Sequence, residues 1–165
     1  MTEDRRSKKG TGKPGAEPLP EIRKGVLPNL LGYMLRQSQL LVYQAFQAAV
    51  NDESVRPPQF SILEIISCNP GVRPSDVAAS IGVSRANLVP LLAELEKAGF
   101  ITRSSNREDG RAQALHLTQA GEAQLKRLHD VIITLEDRLA EFLGPDRRET
   151  LLQLLHDLNT GAAKT

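Results

Sequence analysis

Ser84, Arg85 and Asn87 fall within four consecutive positions, and Arg103, Arg107 and Arg111 gather around an Asp109-Gly110 pair. These residue types suit one kind of chemistry. A guanidinium can bond a guanine edge through two donors, and an asparagine amide can do the same to adenine. Arginine on a loop can enter a narrow, electronegative minor groove. Each residue also has a plainer use. Arg85 can hold a phosphate, which positions a protein without reading sequence. Asn87 can face solvent or cap. Arg111 can pair with Asp109 or Glu108 and stiffen the loop, and that role is compatible with the first.

Other chemistries find little support. The chain has no Gly-rich phosphate loop, no His-x-x-x-His zinc pair and no nucleophile elbow, so an enzyme is not expected. His116, His129 and His156 are spread over three elements, the first in a strand and the other two on helix surfaces. Cys68 is the single cysteine, which excludes an internal disulfide and a Cys-based zinc site and points to a reducing compartment. We expect it to be a buried, inert thiol; the alternative is a redox-sensing regulator acting through Cys68. Neither cofactor nor metal is expected. No apolar run is long enough to span a bilayer, and no apolar core follows the basic N-terminal residues, so a cytoplasmic protein with no membrane partner is expected.

Charge is nearly balanced at formal net +1, so bulk charge does not announce nucleic-acid binding. Residues 1–26 nonetheless carry seven Lys/Arg against four Asp/Glu. Residues 1–22 lack apolar periodicity and read as a disordered basic arm, either a solvated tail or a contact to DNA phosphates.

The elements that must hold the chemistry follow from periodicity. Pro74 opens a short helix with Val77, Ala78 and Ile81 inward. Gly82 supplies a tight turn, and Ser84 caps a second helix with Leu88, Leu91, Leu92 and Leu95 inward. Pro90 falls inside that second helix, where it removes one hydrogen bond and predicts a local bend. Phe100–Arg103 and Ala114–Leu117 alternate as half-buried strands joined by the Asp109-Gly110 turn. This order is a winged helix-turn-helix, over residues 57–117. A helix over Pro28–Val50, one from Pro57 to about Ser67, one from Thr118 to about Phe142 and one over Pro145–Leu158 complete the chain. The fold expected is mainly α with a small β-wing. Residues 23–56 and 118–160 form flanking dimerisation helices, because their leucine-rich faces exceed what one reader domain needs to cover. An intramolecular helical layer is the alternative.

The G-V-S-R-A-N-L-V run, the L-E-K-A-G-F-I-T-R run and the D-G-R-x-x-x-L-H-L-T-x-x-G pattern at Asp109, Arg111, Leu117, Thr118 and Gly121 resemble the MarR family of bacterial transcriptional regulators. The resemblance covers about Pro28 to Leu158. It implies a triangular homodimer, a palindromic double-stranded DNA operator, usually repression, and release by a small-molecule effector. It would place Ser84, Arg85 and Asn87 in the major groove and Arg111 in the minor groove. Two positions depart from the family pattern. Arg73 stands where a Ser or Thr helix cap is usual, and Pro90 replaces a residue that often contacts DNA.

Gly32–Phe46 is similar to regulators of aromatic-acid catabolism within that family, including those answering hydroxycinnamoyl-CoA thioesters. Tyr33, Arg36, Gln37 and Tyr43 offer aromatic surface, a cation and amide donors suited to an aromatic acid or an acyl-CoA thioester. Arg56, Phe60 and Arg73 are expected nearby. Alternatively Arg36 pairs with a carboxylate and both tyrosines pack in the dimer. A winged domain used only for protein contact is a further alternative.

Overall fold

The computed structural model describes residues 22–50, 55–105 and 113–162. Six α-helices and one two-stranded sheet follow in the order α1 (Leu31–Val50), α2 (Pro57–Cys68), α3 (Pro74–Ser80), α4 (Arg85–Lys97), β1 (Ile101–Ser105), β2 (Gln113–Leu117), α5 (Gln119–Leu143) and α6 (Pro145–Ala162). The chain divides into two compact units, Met1–Arg36 and Gln37–Thr165.

In the first unit, the expected helix start at Pro28 is instead a single 3-10 turn over Leu27–Asn29. Leu30 is extended, at φ −95° and ψ 123°, and separates that turn from α1. Proline favours the turn because its missing N–H has no partner to lose there.

The second unit is built around α2, which packs against α3, α4, β2 and α5. Ile62, Leu63 and Ile66 of α2 are fully buried with Val77, Leu88, Leu92, Leu95, Leu115 and Leu128. Each such side chain stabilises the fold by roughly 1.5–3 kcal/mol relative to exposure. The inward stripes predicted for α3 and α4 are the observed ones, with Ile81 and Leu91 at the margin. Gly82, at φ +70°, turns the chain between α3 and α4 in a conformation that a side chain would strain.

The strands pair antiparallel, with Ile101 opposite Leu117 and Arg103 opposite Leu115. Val72 adds an isolated bridge to Leu115, through Gly71 N–H to Leu115 O at 2.8 Å and Leu115 N–H to Val72 O at 3.0 Å. The wing is thereby anchored to the α2–α3 turn as well as to its own hairpin. Thr118 caps α5, its Oγ1 accepting from Gly121 N–H at 3.0 Å. At Gly121 an added Cβ would lie 2.0 Å from Phe100 O, so only glycine lets α5 start this close to the strand.

The last helix runs over Pro145–Ala162, one turn beyond the end near Leu158 that periodicity predicts. Thr160 Oγ1 donates to His156 O at 2.9 Å within it. Large apolar side chains stay exposed on the flanking helices, among them Leu40 and Leu41 on α1, Ile133 and Phe142 on α5, and Leu151, Leu152 and Leu154 on α6. Among the described residues, no helix is long and apolar enough to cross a membrane.

Candidate nucleic-acid interface

Ser84 ends the α3–α4 turn in an extended conformation, and its Oγ accepts from Asn87 N–H at 3.2 Å. This satisfies one of the N–H groups that a helix start leaves unpaired. With Leu88, Leu92 and Leu95 buried, the opposite side of α4 must face outward. Ser84, Arg85, Ala86, Asn87, Val89 and Pro90 are all exposed. The helix therefore presents one cation, one amide and one hydroxyl at its N-terminal end, followed by an apolar turn.

Arg103 is placed differently from the sequence expectation of a wing cation facing outward. Its side chain is 23% exposed, and Nε lies 3.0 Å from Glu96 Oε2. It ties β1 to the C-terminal half of α4. Arg107, Arg111 and the Asp109-Gly110 turn lie outside the described residues.

A second brace joins the start of α2 to α4. Gln59 is 1% exposed; its Oε1 accepts from Arg56 N–H at 2.7 Å and its Nε2 donates to Glu94 Oε2 at 2.7 Å. The Arg56 guanidinium pairs with the same carboxylate. Sequence reasoning passes over Gln59, because a glutamine three residues into a helix looks like an ordinary surface position. The Arg56–Gln59 spacing, with a glutamine able to reach back to the helix start, is the signal that was available.

The residues considered for an effector divide between the units. In the first, Tyr33 is half-buried and Arg36 exposed. In the second, Gln37 is half-buried and Tyr43 exposed. Phe60 packs its ring against Phe46 at 6.4 Å and edge-on to His129 at 6.0 Å. Arg56 already holds Glu94, and Arg73 holds Asp76, with Nε 2.9 Å from Oδ2. The Arg73 hydrogen bond holds the Asp76 carboxyl below its ordinary range, and the same bond raises Arg73. An open groove of about 520 Å³ runs between α1 and α5, lined by Ala45, Ala48, Ala49, Leu135, Arg138, Leu139, Glu141 and Phe142. None of the residues predicted from sequence lines it.

Two further expectations are corrected. Cys68 is exposed rather than buried, because it sits on the outer side of the last turn of α2, with Sγ 3.8 Å from Glu64 Oε1. His129 is half-buried rather than a free surface residue, since Nε2 meets Glu64 Oε2 at 2.6 Å and so links α5 to α2. Among the described residues, no group of three or more His, Cys, Asp or Glu is placed to hold a metal ion.

A cap-initiated helix presented beyond a tight turn, with a hairpin beside it, defines a winged helix-turn-helix protein. Residues 55–112 match the MarR family. The chain is 30% identical over 152 residues, 92% of each chain, to a protein of Thauera aromatica assigned as the transcriptional regulatory protein for the hcr operon. The chain belongs to the MarR family and is a transcriptional regulator of that type. Among solved structures it is similar to the transcriptional repressor CouR bound to a 23-mer DNA duplex, with 38% identity, a TM-score of 0.79, and 84% of this chain and 99% of that one covered. It is likewise similar to CouR bound to p-coumaroyl-CoA, with 36% identity, a TM-score of 0.78 and 84% and 98% covered. PcaV of Streptomyces coelicolor, 22% identical with a TM-score of 0.78 over 86% of this chain and 99% of that one, shares the fold. These relatives are transcriptional regulators rather than enzymes.

Proposed function

We propose that this protein is a homodimeric repressor that binds a palindromic DNA operator and is released by an aromatic carboxylate or its CoA thioester. The observation that carries the reading is the likeness to CouR, a repressor whose structures hold a DNA duplex in one case and p-coumaroyl-CoA in another. Ser84, Arg85 and Asn87 read the major groove, where the exposed start of α4 offers the donors and acceptors that base edges require. Arg107 and Arg111 reach the minor groove from the wing. Arg103 acts through Glu96, by fixing β1 against α4.

Dimerisation is supported by the exposed leucines of α1 and α6 and by Phe142 of α5. Two copies would set their α4 helices about one DNA turn apart, roughly 34 Å, for successive major grooves. On α1, Arg36 supplies the cation for a carboxylate or CoA phosphate, and Tyr33, Gln37 and Tyr43 supply stacking surface and donors. Arg56, Phe60 and Arg73 are already engaged in protein contacts and are secondary candidates.

The test is a mobility-shift titration on the DNA upstream of the protein's own coding region, with and without p-coumaroyl-CoA and free aromatic acids. Binding in the nanomolar range, abolished by one of these compounds, is expected. Binding that none of them affects overturns the effector class and leaves the DNA reading in place.

A second reading has one observation in its favour. Cys68 is exposed and therefore open to oxidants, although its hydrogen-bonding neighbour is the Glu64 carboxylate rather than a cation. DNA binding unchanged after peroxide treatment removes it.

A further inference from the structure

Among the described residues of 55–132, one large apolar side chain is exposed: Val89, at 54%. The other exposed large apolar residues lie on or before α1, or on α5 and α6, the segments assigned above to the dimer. Val89 belongs to none of those faces. It stands one helical turn beyond Arg85 on the same side of α4, since residues four apart are neighbours on a helix surface. Leu88, Leu92 and Leu95 occupy the buried side. Ala86 and Pro90 are exposed beside it. None of these three side chains donates or accepts a hydrogen bond, and Pro90 lacks even a backbone N–H.

The side chains of Ala86, Val89 and Pro90 can therefore contact DNA only through carbon. Of the base-edge features in the major groove, the C5-methyl of thymine is the one recognised that way. We propose that Val89, flanked by Ala86 and Pro90, determines operator specificity by packing on thymine methyl groups next to the base or phosphate held by Arg85. The inference rests on the reading above that α4 enters the major groove. It reverses the simplest expectation for Pro90, that its presence empties the middle of the helix of sequence information. A methyl group taken out of water strengthens binding roughly fourfold.

The experiment uses the full chain. Duplexes selected from a randomised pool are resynthesised with each thymine in turn replaced by dU, which removes the methyl and nothing else. At one or two thymine positions per half-site, dU weakens wild-type binding about fourfold, and the same replacement has almost no effect on Val89→Ala. Val89 is exposed and alanine favours helix, so the variant keeps the wild-type circular dichroism and melting temperature. An enriched sequence that tolerates dU everywhere, or an equal loss in Val89→Ala, overturns the inference and leaves the DNA reading standing. A pool in which no sequence is enriched overturns both.

Discussion

At residue scale, the motif glycine of the L-T-x-x-G run has a steric reason to be glycine. A Cβ at Gly121 would sit 2.0 Å from the Phe100 carbonyl oxygen and 2.9 Å from its carbon, and both are backbone atoms that cannot swing aside. Thr118 N–H bonds that same oxygen at 3.0 Å, so moving the strand would also break the cap region of α5. Gly121→Ala should destabilise the protein by about 3 kcal/mol or more, the upper end for overpacking, read as a lower denaturation midpoint in urea. Alanine accommodated within about 0.5 kcal/mol would refute this contact. Asp76 supports a second prediction. Its carboxyl is lowered chiefly by the hydrogen bond from Arg73. A lowered carboxyl stabilises the fold above its unfolded pKa, and that contribution is lost as pH falls through the folded value. A carbon-detected NMR titration should place the Asp76 midpoint below the ordinary aspartate range. In Arg73→Ala the midpoint should rise toward that range; an unmoved midpoint excludes Arg73 as the cause. Arg73 is exposed and Asp76 half-buried at the surface, so the effect is a local one.

At element scale, α4 carries two duties at its first residue boundary. Ser84 Oγ caps the helix by accepting from Asn87 N–H, and the same hydroxyl stands at the exposed end. The duties separate by substitution. Ser84→Ala should lower stability by about 1 kcal/mol and Ser84→Gly by only a few tenths, because glycine tolerates the cap conformation. If the hydroxyl contacts DNA, both variants lose the same affinity despite their different stabilities. Affinity that tracks stability instead assigns Ser84 to capping alone. The Gln59 brace makes a parallel case. Gln59→Leu leaves Arg56 N–H and Glu94 short of a partner, and should destabilise the α2–α4 contact by about 1–3 kcal/mol in thermal unfolding. An unchanged midpoint would mean that water replaces the amide. The helix-turn-helix was legible in the sequence because its signals are local: Pro74, Gly82 and Ser84 punctuate it, and Val77 and Ala78 in α3, Ile81 at its end and the leucine stripe of α4 set its inward faces. The braces were not legible, because they join residues far apart in the chain. Gln59 meets Glu94 across 35 positions and Glu64 meets His129 across 65, and neither pair leaves a periodic trace. The sequence groups Arg103 with the wing cations because its strand position is local, whereas its pairing with Glu96 on the neighbouring helix is not. The exposure of Cys68 has a related reason. An apolar helix predicts burial on average, but the last turn of α2 leaves its outer side uncovered.

At the scale of the whole molecule, the reader and its proposed control must be joined through the flanking helices, and that requirement gives two linked predictions. Leu41 on α1 and Leu154 on α6 are 66% and 60% exposed, large apolar side chains that a partner copy would cover. The double variant Leu41→Glu/Leu154→Glu should sediment as a monomer while keeping its helical circular dichroism. It should also lose most of its operator affinity, since one half-site contact remains where two acted together. A dimer that survives the double change assigns these leucines to another surface. Effector release then follows from thermodynamics rather than from a particular pathway. An effector that lowers operator affinity by some factor must itself bind the operator-bound protein more weakly by the same factor. Its action depends on preferring a dimer whose α4 helices are not spaced for successive grooves, and tight binding without that preference releases nothing. Calorimetry of the aromatic acid or CoA thioester against free and operator-bound dimer should return the factor measured by mobility shift. If the operator-bound dimer takes up no effector at all, the two ligands exclude one another and the effector competes directly at α4. The leucine-rich flanks are then a scaffold for the dimer and carry no signal.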